Sequence, residues 1–276
     1  MTVRFLSAGD RALVVEFGDR IDRMLSDAVL RLDASLRSCI INGVVETVPT
    51  FRSLMVHYDP LVTTRADLER AITSLLDDAP GSPVAATLWH IPVCYEGGFA
   101  PDLAEVARLT GLDPGEVVAL HSGTRYHVYM LGFLPGFPYM GDLPHQLALP
   151  RRADPRVRVP AGSISIATTL TAIYPYESPG GWHLLGTTPI RLFDCGRARP
   201  ALLAPGDAVL FEPIDAAAFA SIKERVESGR YEVASEPIAD SSSSLPSLTQ
   251  QSMTQLHERA GHEDGRIESG HDEEGR

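Results

Sequence analysis

Lysine is almost absent from this sequence of 276 residues: Lys223 is the only one, and arginine supplies the other 23 cationic side chains. Chemistry that depends on a lysine, such as a Schiff base, therefore has almost no candidate residue. A P-loop is excluded as well, because no G-x-x-x-x-G-K-[ST] pattern occurs. If the chain serves an ATP-driven reaction, we expect the phosphate chemistry to belong to a partner, with no cofactor bound by this chain alone.

Long apolar runs and a secretory signal are also missing. No window approaches the roughly 18–20 consecutive apolar residues of a membrane helix. The N-terminal "MTVRFLSAGDR" returns to charged residues too soon for a signal peptide. We therefore expect a cytoplasmic protein that has no contact with a membrane.

Cysteine is scarce and its pattern is uninformative. Cys39, Cys94 and Cys195 are odd in number, far apart and set in apolar surroundings. We expect buried free thiols rather than a disulfide or a metal cluster. No sequence-local metal motif occurs, so no metal site is predicted.

Acidic side chains outnumber basic ones, which gives a formal net charge of -12. From residue 236 onward nine acidic and three basic residues give -6, which is half of the total. This balance argues against a nucleic-acid partner. The segments "APDLAEVARLTG" and "LDPGEVVALHSG" imitate a helix-turn-helix, but the second has no arginine or lysine and carries Glu116. We interpret them as a helical hairpin that covers one end of a sheet.

Periodicity divides the chain into three parts. Residues 1–85 contain two amphipathic helices and strand-like runs in the order β-α-β-β-α-β, which predicts a small α+β domain, although the last strand could equally open the next domain. Residues 86–230 form the second part, in which short strands with turn residues about every 8–12 positions run from Tyr126 to about Pro213, a pattern typical of an all-β barrel or sandwich. Residues 231–276 are rich in Ser, Gly and Glu, which predicts a disordered acidic tail.

The stretch "GFLPGFPYMG" (132–141) combines prolines and glycines with three aromatic side chains, Phe133, Phe137 and Tyr139. Its backbone must be stiff and irregular. Such a loop suits the wall of a small-molecule cleft. A barrel corner that packs into the core is an equally good interpretation of the composition alone.

Two further stretches favour a binding site. "LPRRADPRVRVPAGS" sets four arginines within eight residues and ends in Gly162 and Ser163. The arginines are Arg151, Arg152, Arg156 and Arg158. A guanidinium matches a carboxylate, so we expect a small-molecule substrate with a carboxylate. A solvated strand face is the alternative for Arg156 and Arg158.

The third stretch, "IYPYESPGGWHLLGTTP", again places aromatic side chains between prolines and glycines. Together the three stretches predict a set of substrate-binding residues: Phe133, Phe137, Tyr139, Arg151, Arg152, Gly162, Ser163, Tyr174, Ser178, Gly180, Gly181 and Trp182. His127, His121 and His183 are candidate general bases, although a lone histidine is more often structural.

These motifs carry a family resemblance over about residues 4–228. "YHVYMLGFLPGFPYMGDLP", "PRRADPRVRVPAGSISIA", "IYPYESPGGW" and "LLGTTPIRLFD" resemble the KipI family, also called allophanate hydrolase subunit 1. The family includes the B subunit of the bacterial ATP-dependent 5-oxoprolinase. The resemblance implies an α+β N-terminal domain followed by a cyclophilin-like β-barrel domain.

The resemblance also implies partners. The chain would pair with a KipA-type subunit as half of a carboxyltransferase-like unit. With a third subunit of the LamB/YcsF type, that pair would open 5-oxoproline to glutamate using ATP. The alternatives are a KipI-type inhibitor of a sensor histidine kinase and half of a urea or allophanate carboxyltransferase. Leu170 stands where relatives carry a glutamine and Thr187 where they carry an arginine, so the resemblance leaves the substrate open.

Overall fold

The computed structural model describes residues 3–77 and 86–238. Residues 78–85 and the predicted tail from residue 239 onward lie outside the described residues. The described part belongs to one compact unit that ends at Ile238.

The N-terminal part is a four-stranded antiparallel sheet with two helices. The strands run in the order β1-β2-β4-β3. They are β1 (Arg4–Ser7), β2 (Ala12–Glu16), β3 (Val44–Pro49) and β4 (Ser53–Tyr58), and the helices are α1 (Arg23–Ser38) and α2 (Arg65–Asp77). Leu54, Val56 and Tyr58 alternate along β4 and are buried, so one face of the sheet forms a core with both helices.

The order of elements differs from the predicted β-α-β-β-α-β. A short first strand, "RFLS", pairs with β2 as an antiparallel hairpin. The strand predicted to end this part instead opens the next one, which gives β-β-α-β-β-α. The first strand escaped prediction because it has only four residues, none of them fully buried.

The second part is a closed barrel of seven strands. Their order is β12-β9-β10-β7-β6-β13-β5, and β5 returns to β12 where Thr187 pairs with Cys94. The barrel strands are β5 (Thr87–Cys94), β6 (Tyr126–Leu131), β7 (Pro138–Gly141), β9 (Ser163–Ala167), β10 (Leu170–Ile173), β12 (His183–Thr187) and β13 (Ala208–Ile214). The expected fold class, an α+β part followed by a β-barrel, is confirmed.

Outside the barrel wall lie a two-stranded sheet and three helices. The sheet consists of β8 (Arg156–Val159) and β11 (Ser178–Gly180). The helices are α3 (Leu103–Thr110), α4 (Pro114–Ser122) and α5 (Ala216–Glu227). Val106 of α3 and Val117 of α4 join the barrel core, so the predicted helical hairpin covers the barrel.

The last described residues belong to the barrel. Strand β14 (Ser235–Pro237) pairs antiparallel with β5, and Tyr231 and Val233 pack against the barrel core. Residues 231–238 of the predicted disordered tail are therefore attached to the sheet. Their pairing depends on partners some 150 positions away, which local composition does not reveal.

Cys94 is buried, whereas Cys39 and Cys195 are exposed, and all three thiols are free. The expectation of buried thiols was thus wrong for Cys39 and Cys195. In the two described ranges, no helix is both long enough and apolar enough to cross a bilayer. The same ranges contain no group of three or more His, Cys, Asp or Glu side chains arranged to hold a metal ion.

Candidate functional site

Three segments converge on one side of the barrel: the aromatic loop (132–141), the arginine segment (150–159) and the third loop (174–183). Phe137 lies 5.0 Å from Tyr139 and 5.1 Å from Tyr174, ring centre to ring centre, and Trp182 lies 6.0 Å from Tyr139. Phe137, Tyr174 and Trp182 are buried and Tyr139 is half-buried. These four rings, the aromatic cluster, belong to a third, smaller core.

The first half of the aromatic loop is irregular, as its composition predicts, whereas Pro138–Gly141 forms strand β7 and pairs with β6 and β10. Gly136 has a φ of 75°, and an added Cβ there would press on Phe193. Phe133 also adopts a positive φ, 67°, which is unusual for a bulky residue. Its side chain is 61% exposed at the tip of the loop, and its ring meets Phe137 edge to face at 5.3 Å.

One edge of the aromatic cluster is polar. The hydroxyls of Tyr139 and Tyr174 have no hydrogen-bond partner among the described residues, and Arg151 makes no ion pair there. Burial raises the pKa of Tyr174 to about 12 and also raises the pKa of Tyr139, while the nearby Arg151 charge opposes both shifts. Both phenols are therefore protonated donors at neutral pH beside a guanidinium, an arrangement that suits a carboxylate.

The neighbouring arginines are held by a buried carboxylate. Asp102, whose side chain is 4% exposed, accepts from Arg152 at 3.2 Å and from Arg156 at 2.5 Å. Its second oxygen accepts from the Leu184 amide at 2.7 Å. Arg152 also donates to Glu105 at 2.8 Å. Arg152, predicted to contact substrate, thus already carries two acidic partners.

Four buried polar atoms in the same region have no hydrogen-bond partner among the residues that the structure describes. They are Arg152 Nε, Arg156 Nη1, Ser178 Oγ and His183 Nδ1. Ser178 and His183 are only 8% and 4% exposed. An unpaired buried polar group costs about 1–3 kcal/mol, so this cluster is a place where a ligand gains binding energy.

His121 lies away from these segments, inside the barrel. Its ring nitrogens lie 2.9 Å from the Tyr95 hydroxyl and 3.1 Å from that of Thr171, and its ring stacks on Phe211. Burial lowers its pKa to about 3. These contacts give His121 a structural role.

His127 lies where the barrel meets α1. Its Nε2 is 3.3 Å from the Ser26 hydroxyl, and its ring meets Tyr129 edge to face. Burial, with a smaller effect from Arg23, lowers its pKa to about 4. Of the three candidate bases, only His183 lies among the converging segments.

Gly162 and Ser163 are hydrogen-bonded to the backbone of Tyr174: the Gly162 amide donates to the Tyr174 carbonyl at 2.7 Å, and the Ser163 carbonyl accepts from the Tyr174 amide at 2.9 Å. Ser163 is buried in β9. Gly162 lines a separate cleft of about 380 Å³ that Thr187, Arg191 and Lys223 also line. The Thr187 hydroxyl donates to the Phe99 carbonyl at 2.8 Å.

The comparison with protein families agrees with this fold. Residues 3–203 match the family described as carboxyltransferase domain, subdomain C and D. The chain belongs to this family.

The chain is also similar to proteins that are named as enzymes or enzyme subunits. The B subunit of 5-oxoprolinase from Bacillus subtilis is 38% identical, over 81% of this chain and 99% of that protein. The protein of the same name from Escherichia coli O157:H7 is 40% identical, over 74% of this chain and 93% of that one. Urea amidolyase of Saccharomyces cerevisiae is 26% identical over 84% of this chain, which matches only 14% of that protein.

Solved structures give the same fold. A crystal structure of a protein called TTHA0988 is 38% identical with a TM-score of 0.67, covering 74% of this chain and 40% of that one. The Kluyveromyces lactis urea amidolyase has a TM-score of 0.70 at 20% identity, covering 86% of this chain and 16% of that one. The second likeness shows the fold alone. The chain thus spans about two-fifths of the length of TTHA0988.

Two residues of the candidate site, Asp102 and Phe51, were not predicted from the sequence. Asp102 precedes α3, where an aspartate looks like an ordinary helix cap. Phe51, in the turn between β3 and β4, packs at 5.8 Å against both Tyr129 and Tyr139. No sequence signal marks Phe51. The surplus of arginines over acids in the arginine segment could have suggested that a buried carboxylate was supplied from outside it.

Proposed function

We propose that this chain is the B-type subunit of an ATP-dependent 5-oxoprolinase, which opens 5-oxoproline to glutamate. One observation carries the proposal: the chain is 38% identical to the B subunit of a 5-oxoprolinase across 99% of that protein's length. A match over the whole length of a relative supports a shared role better than a match to one domain.

The subunit works as part of a complex and is inactive alone. In TTHA0988 and in the K. lactis urea amidolyase, the matching part makes up only 40% and 16% of longer chains. This fold therefore occurs joined to further sequence, and here we propose that separate subunits supply it. A KipA-type chain and a LamB/YcsF-type chain are the proposed partners. ATP binds at the level of the complex, which we place in the cytoplasm.

Within the complex, this subunit holds the substrate's carboxylate. Arg151 and the hydroxyls of Tyr139 and Tyr174 supply the donors, on an edge of the aromatic cluster. The ring of 5-oxoproline would lie against Trp182 and the tyrosine faces, because small apolar rings favour aromatic surfaces.

Reconstitution tests the function. The full chain is co-expressed with the KipA-type and LamB/YcsF-type subunits encoded by the same genome, and ATP hydrolysis is measured with 5-oxoproline, with urea and without either. We expect hydrolysis that depends on 5-oxoproline and on all three subunits. Stimulation by urea instead would favour the urea carboxyltransferase alternative. No stimulation by 5-oxoproline with every subunit present would refute the proposal.

A variant tests the carboxylate site in the same assay. Arg151→Gln removes the charge and should raise the KM for 5-oxoproline about tenfold or more, because a charged hydrogen bond contributes about 1.5–3 kcal/mol. Arg158→Gln is the matched control, since Arg158 lies in the same segment but pairs with Glu177 on the exposed surface. An unchanged KM in Arg151→Gln would remove Arg151 from the site.

A further inference from the structure

The four unpartnered atoms Arg152 Nε, Arg156 Nη1, Ser178 Oγ and His183 Nδ1, here called the orphan cluster, lie on two chain segments that run side by side. The Arg152 amide donates to the Gly181 carbonyl at 2.7 Å, and Gly180 pairs with Arg156 in the small sheet. His183 Nε2 lies 3.1 Å from the Pro150 carbonyl oxygen. Asp102 joins the two segments, because it accepts from Arg152 and Arg156 on one and from the Leu184 amide, next to His183, on the other. Ser178 belongs to the same small sheet as Arg156, where it pairs with Val159.

The chemistry of the orphan cluster is mixed. Arg152 Nε and Arg156 Nη1 can only donate. A carbonyl oxygen can only accept, so the contact with Pro150 puts the His183 proton on Nε2 and leaves Nδ1 with a lone pair. The Ser178 hydroxyl can donate or accept. A complementary ligand must therefore offer an acceptor and a donor close together.

The net charge of the orphan cluster shows which of the ligands that meet this requirement fits best. The positive charges of Arg152 and Arg156 are already matched by the carboxylates of Asp102 and Glu105. The orphan cluster is thus close to neutral, and a carboxylate brings no donor for His183 Nδ1. A neutral planar amide satisfies both conditions, because its carbonyl accepts and its N–H donates. A lactam ring holds these two groups on the same edge.

We propose that the orphan cluster binds the lactam of a small substrate, with its carbonyl facing the arginines and Ser178 and its N–H donating to His183 Nδ1. This rests on the proposed function, in which 5-oxoproline is the lactam. It assigns recognition of the reacting amide to this subunit rather than to its partners.

The position relative to the carboxylate site fits one small molecule. An added Cβ on Gly180 would overlap the Tyr174 hydroxyl, so that hydroxyl lies directly over Gly180. Arg156 is the ladder partner of Gly180, which brings the orphan cluster next to the polar edge formed by Arg151 and the two tyrosines. The side chains of Arg152 and Arg156 are about a quarter exposed (23% and 25%), so the cluster lies just beneath the surface.

Binding of two ligands tests the inference. 5-Oxoproline is compared by titration calorimetry with its lactone analogue, which keeps the carboxylate and the carbonyl but lacks the N–H. The assembled complex should bind the lactam about tenfold more tightly, the contribution of one hydrogen bond. His183→Gln keeps a donor near the Nε2 position but has no lone pair at Nδ1. The complex that carries this variant should bind the lactam and the lactone equally, and its affinity for the lactone should be unchanged.

Two more variants complete the experiment. Ser178→Ala should weaken binding of both ligands about three- to tenfold, and it keeps the inference testable if His183→Gln fails to fold. Arg158→Gln should change neither affinity. The inference is overturned if the unaltered complex binds lactam and lactone equally, or if His183→Gln retains the preference. A complex that shows the preference without hydrolysing ATP would refute the proposed function and leave the lactam site standing.

Discussion

At the scale of single residues, Gly180 and Gly181 are neighbours with opposite surroundings. A Cβ on Gly180 would overlap the Tyr174 hydroxyl, whereas a Cβ on Gly181 would lie 3.6 Å from Pro155, an ordinary contact. We expect Gly180→Ala to lower the free energy of unfolding by about 1–3 kcal/mol, because the buried Tyr174 must move. Gly181→Ala should be almost neutral. Urea unfolding measures the difference in stability between the two variants. Equal stability would contradict the prediction.

Two buried histidines make stability depend on pH. Burial lowers the pKa of His121 from 6.5 to about 3 and that of His127 to about 4. Below pH 6.5 the unfolded chain therefore binds protons that the folded chain does not. Above pH 6.5 both rings are neutral in the folded and the unfolded chain, and the stability is at its full value. As the pH falls toward 4, each histidine lowers the free energy of unfolding by up to about 1.4 kcal/mol per pH unit.

Urea unfolding at several pH values between 7 and 4.5 checks this dependence. His127→Gln should reduce the slope of stability against pH, because one of the two groups no longer titrates. His145→Gln changes an exposed side chain and should leave the slope as it is. A slope that is the same in all three proteins would contradict the assignment to buried histidines.

At the scale of elements, Asp102 joins three parts of the fold. It precedes α3, binds two arginines of the arginine segment and accepts from the backbone of β12. Asp102→Asn removes the charge, which leaves Arg156 without its acidic partner and Arg152 with Glu105 alone. We expect the free energy of unfolding to fall by about 3–5 kcal/mol, as when a buried ion pair is broken.

Glu105 provides the control for Asp102, because it also binds Arg152 but its side chain is 43% exposed. Glu105→Gln should cost less than about 1 kcal/mol. Denaturant unfolding of both variants measures the contrast. A loss in Asp102→Asn no larger than that in Glu105→Gln would show that Asp102 does not connect these elements.

The same elements show what the sequence could and could not predict. Periodicity located α1 and α2, and turn spacing indicated the barrel, because these signals are local. Phe133 and Phe137 lie in the irregular loop that composition predicts, but Tyr139 lies in barrel strand β7, where it pairs with β6 and β10. Composition also could not tell a cleft wall from a packed core. Arg152 illustrates the limit: its acidic partners, Asp102 and Glu105, lie about 50 positions earlier in the chain, and only the fold brings them together.

At the scale of the whole molecule, Phe51 connects the N-terminal sheet to the barrel through its contacts with Tyr129 and Tyr139. Phe51→Ala should lower the free energy of unfolding by about 2 kcal/mol, since each aromatic pair contributes about 0.5–1.5 kcal/mol. It should also raise the KM of the assembled complex for 5-oxoproline, because Tyr139 loses support. Phe133→Ala, at an exposed position, should leave the stability almost unchanged. An unaltered KM in Phe51→Ala would show that the N-terminal part does not support the binding site.

The cleft of about 380 Å³ beside α5 contains the single lysine of the sequence, Lys223, next to Phe219 and Glu227. An activated-ester dye can therefore label one side-chain amine in the entire polypeptide, besides the amino terminus. That fluorophore would sit at a known position on α5, and its emission would signal the approach of another molecule to this face without any engineered cysteine.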